Sequence, residues 1–176
     1  MRALLCLIAI TLSLSLCLRA EEENPLKKAK VGDWIEWTTS SKFGGFAMEG
    51  GMKQTVKAKT DADVTLEIAN KTPAGDVKQE IKINLNEKYD PRKQDPNAEF
   101  KETGKGEETI TVGGKSLKTT WTSYETTSNA GGQKMTIKGK AWVSPEVPLG
   151  GLVKSENEIV GMGKQSLELK DFGTGK

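Results

Sequence analysis

Hydrophobic and polar residues alternate along much of the chain, most clearly between residues 63 and 85. Alternation with a period of two gives an extended segment one apolar face and one polar face. Residues 73–76 interrupt it with a proline that presets φ and a glycine that tolerates positive φ, as a tight turn requires. This stretch therefore predicts an antiparallel hairpin. Its apolar positions are Val64, Leu66, Ile68, Ile81, Ile83 and Leu85.

The same alternation recurs between turns that are rich in glycine, proline or asparagine, and no long helical pattern interrupts it. A sheet with this many strands must curl, split into two layers or close. The prediction is an all-β fold with eight or nine strands in a single curved antiparallel meander sheet, either a half-barrel or a barrel. One domain is predicted over residues 31–176. Further strands are predicted at 33–39, 46–58, 110–112, 117–121, 134–143, 152–160 and 166–172.

Residues 86–106 break the alternation, with two prolines, two aromatic residues and many charges but no clear period. A connection of about twenty residues is uncommon in a compact domain, and is usually functional or disordered. A long loop is therefore predicted here. It is either a solvated loop or a flap over the concave face of the sheet.

The first twenty residues have the layout of a secretory signal peptide. Arg2 precedes an apolar run that extends to Leu18, and Ala20 supplies a small residue at the cleavage position. Residues 21–30 would then be a short linker. Because both cysteines, Cys6 and Cys17, lie within the leader, the exported chain forms no disulfide, which favours the bacterial envelope over a eukaryotic extracellular space. A periplasmic or extracellular protein is expected.

Charge and composition argue against several functions. Without Arg2 and Arg19 the chain has 24 basic and 24 acidic residues, so an electrostatic partner such as nucleic acid is not expected. No later segment is apolar enough for a transmembrane helix. The absence of histidine and of cysteine beyond residue 20 removes triad and thiolate chemistry and a histidine- or cysteine-ligated metal. We expect no catalytic residue, no metal and no cofactor; a hydrolase that uses paired carboxylates is the one enzymatic alternative that the composition leaves open.

The apolar faces of the predicted strands supply the candidate binding residues. Methionine suits a surface that holds an acyl chain, because its unbranched side chain adapts to irregular partners. The alternative interpretation is that the same residues form a closed core. Trp142 lies out of phase with them on the lysine-bearing side of its strand, where an exposed tryptophan would mark a binding surface. The candidates are Met48, Met52, Ile81, Ile83, Met135, Ile137 and Trp142.

The segment from Lys140 to Lys154 carries the pattern W-x-S-P-x-V-P-x-G-G-x-V-K, which begins at Trp142. Together with Tyr89-Asp90-Pro91 and residues 106–115, it resembles a group of small secreted bacterial β-rich proteins of uncharacterised function. A tryptophan strand followed by a proline turn is also distantly similar to the lipoprotein-localisation half-barrels of the LolA and LolB type. That similarity implies an apolar concavity for acyl chains.

Two functions follow as hypotheses. The first is a non-enzymatic exported β-protein whose concave face binds a lipid or another hydrophobic ligand. The alternative is a structural or interaction module that presents a polar face or an unpaired edge strand to another envelope protein.

Overall fold

The computed structural model describes residues 24–87, 99–130 and 133–175. These residues form one 3₁₀ helix, Pro25–Lys28, and nine antiparallel strands in a single sheet. The strands are β1 Trp34–Phe43, β2 Phe46–Lys59, β3 Asp63–Thr72, β4 Gly75–Asn84, β5 Glu99–Val112, β6 Lys115–Ala130, β7 Gln133–Val143, β8 Leu152–Ile159 and β9 Gly163–Gly173.

The predicted fold class is confirmed. The strand order is β4-β3-β2-β1-β9-β8-β7-β6-β5, so the described sheet is an open, curved meander of the half-barrel type. β9 closes back beside β1, which places the two ends of the domain in the centre of the sheet. Within the described ranges, no helix has the length and hydrophobicity needed to cross a membrane.

The register divides the side chains into two faces, because directly opposed residues in an antiparallel sheet lie on the same side. We call the side with Ile35 and Trp37 the core face. The other side, with Ser40 and Lys42, is called the cavity face after the cavity described below. We call the end of the sheet where β1 begins the lower end.

The hydrophobic core occupies the lower end of the sheet. Val56 of β2 and Leu66 of β3 are directly opposed on the core face and almost completely buried, as is Ile35 of β1. The Trp37 indole N–H donates to the carbonyl oxygen of Leu152 at 3.0 Å. This hydrogen bond joins β1 to the start of β8, so the core fixes the relative position of the central strands.

The core also continues onto the other face at this end. Leu117 and Val112, at the lower end of the β5–β6 hairpin, are buried although they are in phase with Trp121 on the cavity face. Val147 and Leu149, in the connection from β7 to β8, belong to the same buried cluster. The lower end of the sheet is therefore packed on both faces, and the upper ends of the strands extend beyond it.

The predicted linker is a packed part of the fold from Asn24 onwards. The Asn24 side-chain oxygen accepts a hydrogen bond from the Leu26 N–H, and its amide group donates to the Glu87 carbonyl oxygen, both at 3.0 Å. Leu26 has no exposed surface. The Lys59 ammonium group donates to the Ala29 carbonyl oxygen at 2.8 Å. These contacts close the lower end of the sheet.

Residues 99–106 of the predicted long loop belong to β5. A register shift between Glu102 and Gly104 interrupts the alternation in this strand, which explains why the sequence pattern did not indicate it. Residues 88–98 of the predicted loop lie outside the described residues, as does the predicted signal peptide, residues 1–20.

Candidate functional site

A cavity of about 710 Å³ opens on the upper half of the cavity face. Side chains of β1, β9, β8, β7 and β6, which are consecutive in the sheet, line it together with Thr103 of β5. Its volume falls within the range of about 300–1,000 Å³ that is typical of small-molecule sites. The curvature of the sheet, rather than a separate loop, therefore creates the site.

Two cross-strand rows of side chains line this cavity. The upper row consists of Lys42, Lys164, Glu158, Lys138 and Glu125, one residue from each strand in the order β1, β9, β8, β7, β6. The lower row lies two residues away along each strand and consists of Ser40, Ser166, Glu156, Lys140 and Ser123. Successive strands are spaced about 4.8 Å apart, so neighbouring side chains within a row are close enough to act on one ligand.

The backbone of the residues between the two rows forms the floor of the cavity. Tyr124, Gly139 and Asn157 are opposed across β6, β7 and β8 and direct their side chains to the core face. There the Tyr124 hydroxyl donates to Asn157 Oδ1 at 2.8 Å, passing over Gly139. The ring of Phe100 stacks on Tyr124 with centroids 5.1 Å apart. The floor is therefore supported from behind by an ordered aromatic cluster.

Ion pairs engage the lower row more than the upper one. Lys154, just below the cavity, contacts Glu156 at 2.9 Å and Glu168 at 3.1 Å. The hydrogen bond with Glu156 is the main cause that raises the pKa of Lys154 above its usual value. By contrast, no carboxylate oxygen of the described residues lies within 4.0 Å of the ammonium groups of Lys42, Lys138 or Lys164. The upper row thus keeps its charged groups available.

Two tryptophans support the wall below the cavity. The Lys140 ammonium group lies 4.1 Å from the centroid of the Trp121 ring and 4.5 Å from that of Trp142. The Trp142 indole N–H donates to Glu108 Oε2 at 2.8 Å. Cation–π contacts of this kind contribute about 0.5–1 kcal/mol each at exposed sites. They hold the Lys140 side chain against the wall.

The six methionines and isoleucines predicted as binding residues all lie on the core face, and three of them pack on the core. Met52 is opposed to Trp37, Ile81 to Leu66, and Ile83 to Val64. The three are half-buried against the hydrophobic cluster. These residues are brought together, but as the margin of the core rather than as an open pocket.

The other predicted residues are placed separately. Met48 is 56% exposed on β2, while Met135 and Ile137 are half-buried on β7, with three strands between β2 and β7. Trp142 lies on the lysine-bearing face as the sequence indicated, but it is only 5% exposed. In the part of the chain that the structure describes, none of the seven predicted residues lines the cavity.

An apolar row also crosses the upper end of the core face, and the alternation in the sequence does not distinguish it from the core. Phe46 at its end is 80% exposed. The registers align Phe46, Phe43, Gly163, Ile159, Ile137, Thr126 and Phe100 from β2 to β5. The upper half of the sheet therefore presents an apolar row on one face and a charged row on the other.

The sequence contains a signal for the charged rows on the polar faces of the predicted strands. Lys138 and Lys140 share one face of their strand, and Glu156 and Glu158 share one face of the next strand. Opposite charges on consecutive strands indicate cross-strand rows. What the pattern does not specify is that the sheet is concave on this side.

Chemically, the site offers ammonium, carboxylate and hydroxyl groups on a rigid backbone floor. Such groups bind polar ligands by charge-assisted hydrogen bonds. Among the described residues, no three histidine, cysteine, aspartate or glutamate side chains form a group that could hold a metal ion.

Comparison with known proteins identifies the fold. No family model matches the chain, and no curated protein sequence matches it significantly. A candidate exported protein with a YmcC-like fold from Bacteroides fragilis superposes with a TM-score of 0.50 at 12% identity, covering 86% of this chain and 99% of that one. A candidate lipoprotein from Parabacteroides distasonis gives a TM-score of 0.49 at 14% identity, covering 86% and 100%. At such identities the first likeness shows a shared fold.

Proposed function

We propose that the protein is an exported, non-enzymatic binding protein of the bacterial envelope, which holds the polar part of a ligand in the cavity on the cavity face. The observation that carries this proposal is the cavity of about 710 Å³ with its two rows of charged and hydroxyl side chains. A lipid can be such a ligand when its headgroup, rather than its acyl chain, occupies the cavity.

Export is supported by two independent features. The sequence of residues 1–20 has the arrangement of a signal peptide. The similar structure from Bacteroides fragilis belongs to a candidate exported protein. An envelope location would supply ligands that carry charged headgroups or sugars.

A binding role without catalysis is supported by the chemistry of the lining. The chain beyond residue 20 contains neither histidine nor cysteine, so Ser–His and Cys–His nucleophile–base pairs cannot form in it. The cavity carboxylates of Glu125, Glu156 and Glu158 are each opposed to a lysine in the register. Such an arrangement favours the binding of complementary charges.

The apolar row supports a second candidate function, contact with an envelope lipid or protein through the upper core face. Its specific support is the exposure of Phe46 and Met48, which lie on this face at 80% and 56%. Exposed apolar side chains that cluster in this way are typical of interaction surfaces. Met135 and Ile137 lie on the same face at the upper end of β7.

Native mass spectrometry of residues 21–176, purified without detergent from an exported preparation, tests the proposal. We compare the wild type with two single-residue variants, Ser166→Trp in the cavity and Met48→Glu on the core face. The wild type and Met48→Glu are expected to carry the same added mass, and Ser166→Trp is expected to lose it, because the bulky indole projects into the cavity. Circular dichroism verifies that both variants fold.

The reverse pattern, with the added mass lost from Met48→Glu and kept by Ser166→Trp, would favour the apolar row as the binding surface. If the exported wild-type protein carries no added mass, the proposal that it retains a ligand in the cavity is contradicted.

A further inference from the structure

The β1 end of the cavity brings together two like charges. Lys42 of β1 and Lys164 of β9 are directly opposed in the register, and both line the cavity. Directly opposed like charges destabilise an antiparallel pair. On its other side Lys42 is opposed to Ala47, which carries no charge to offset it.

The nearby acidic residue in the row does not neutralise this pair. Glu158 is opposed to Lys164 but not to Lys42, so one carboxylate stands beside two ammonium groups, and Lys138 on its other side has Glu125 as a further partner in the register. Elsewhere in the sheet, lysines with a well-placed acid form close pairs, as Lys170 does with Glu36 at 2.8 Å. The described residues provide no such partner within 4.0 Å for Lys42 or Lys164.

Hydroxyl groups complete this end of the cavity. Ser40 and Ser166 are directly opposed to each other, and each lies two residues from a lysine on its own strand. Both serines line the cavity and are half-buried. Two ammonium groups and two hydroxyl groups therefore border the same end of the cavity, and all four can donate hydrogen bonds. On this face Glu49 is opposed to Ser40 and Glu156 to Ser166.

This set of donors matches a tetrahedral oxyanion. A phosphate group has several acceptor oxygens, and lysine binds it as a point charge. Because the four side chains project from two paired strands, their spacing is fixed by the sheet rather than by a mobile loop. An anion placed between the two lysines would also remove their mutual repulsion.

We propose that Lys42, Lys164, Ser40 and Ser166 form a binding site for the phosphate group of a phosphate ester. The site rests on the proposed function, since it identifies the ligand class for the same cavity. The phosphate belongs either to a free ester or to a lipid headgroup, and both present the same chemistry to these donors.

The test uses two probes and two charge-matched double variants of residues 21–176. The first probe is sn-glycerol 3-phosphate, whose binding is measured by phosphorus NMR. The second is phosphatidylcholine vesicles with or without phosphatidic acid, to which binding is measured by co-sedimentation. The site variant is Lys42→Gln/Lys164→Gln. The control is Lys71→Gln/Lys118→Gln, which removes the same charge from exposed positions of β3 and β6 outside the cavity.

The wild type and the control are expected to bind at least one probe, and the site variant is expected to bind it more weakly by on the order of tenfold or more. Binding of glycerol phosphate would show that a free phosphate ester is sufficient for binding. Binding only to vesicles with phosphatidic acid would show that the phosphate must belong to a lipid headgroup. The site variant is also expected to unfold at a temperature no lower than the wild type, because it loses a like-charge pair.

Three results would overturn the phosphate site: no binding of either probe, equal weakening in both double variants, or a site variant that binds like the wild type. The proposed function is tested separately. If the site variant still carries the added mass that Ser166→Trp loses, the cavity binds a ligand that needs no phosphate contact.

Discussion

At the scale of single residues, Gly139 shows how a missing side chain supports the floor of the cavity. The ring of Tyr124 crosses β7 at Gly139, and its hydroxyl donates to Asn157 Oδ1 at 2.8 Å. A Cβ atom at Gly139 would lie 2.4 Å from Tyr124 Cζ and 2.5 Å from Asn157 Oδ1. Any larger residue would therefore displace the ring or break the hydrogen bond.

Gly139→Ala is expected to lower the free energy of unfolding by about 1–3 kcal/mol through overpacking. Gly51→Ala is the matched control, since Gly51 also lies within a strand but has its nearest contact at an ordinary 3.5 Å. Within a strand, alanine costs less backbone entropy on folding than glycine does, so the control is expected to be neutral or slightly stabilising. Urea denaturation measures the free energy of unfolding of both variants. Equal effects of the two substitutions would contradict the packing argument.

The alternation in the sequence correctly assigned most residues to a face, but not the degree of burial at each position. Val64 and Leu66 are buried as expected, whereas Phe46 and Met48 on the same face are mostly exposed. Period-two patterning specifies which side of a strand a residue occupies. Whether a residue on that side is buried at its position along the strand depends on tertiary contacts, which the pattern does not contain.

At the scale of elements, the segment around the 3₁₀ helix is the part of the fold that the sequence described least well. Residues 21–30 were predicted to be a linker, but Leu26 is fully buried and Asn24 hydrogen-bonds across to the Asn84–Glu87 turn. Leu26 and Ala29, three residues apart in a charged segment, are too few to give a periodic signal. Their role becomes visible only once the lower end of the sheet is in place.

Leu26→Ala is expected to destabilise the protein by about 2–5 kcal/mol, because it leaves a cavity in the core. Lys27→Ala, one residue away and exposed, is the control and is expected to change stability by less than about 0.5 kcal/mol. Thermal and urea unfolding of residues 21–176 provide the measurement. A Leu26→Ala protein as stable as the control would show that this segment is not part of the core.

At the scale of the whole molecule, strand number and antiparallel order followed from the sequence, whereas the cavity did not. Hairpin turns such as Pro73–Asp76 made neighbouring strands predictable. The return of β9 to pair with β1 and the curvature that makes the cavity face concave both depend on contacts over long distances in the chain. For this reason the alternation in the sequence predicts a polar face but not the cavity on it.

The open sheet leaves two edges, and charged residues occupy both. In the described residues, β4 and β5 each pair with one strand only. β4 carries Lys78, Glu80 and Lys82, which are exposed. Charged side chains on an edge strand oppose pairing with a second copy of the sheet. The charges of β4 therefore have a role beyond solubility.

Replacing Lys78 and Glu80 together by threonine leaves the net charge unchanged and raises the β propensity of this edge. We expect the variant to self-associate more than the wild type as concentration rises, because the two charges no longer oppose pairing of this edge with a second copy. Lys57→Thr/Glu67→Thr is the control, since it makes the same exchange on β2 and β3, which are paired on both sides. Sedimentation velocity over a concentration series distinguishes the two. If the edge variant and the control associate equally, the charges of β4 do not protect the edge.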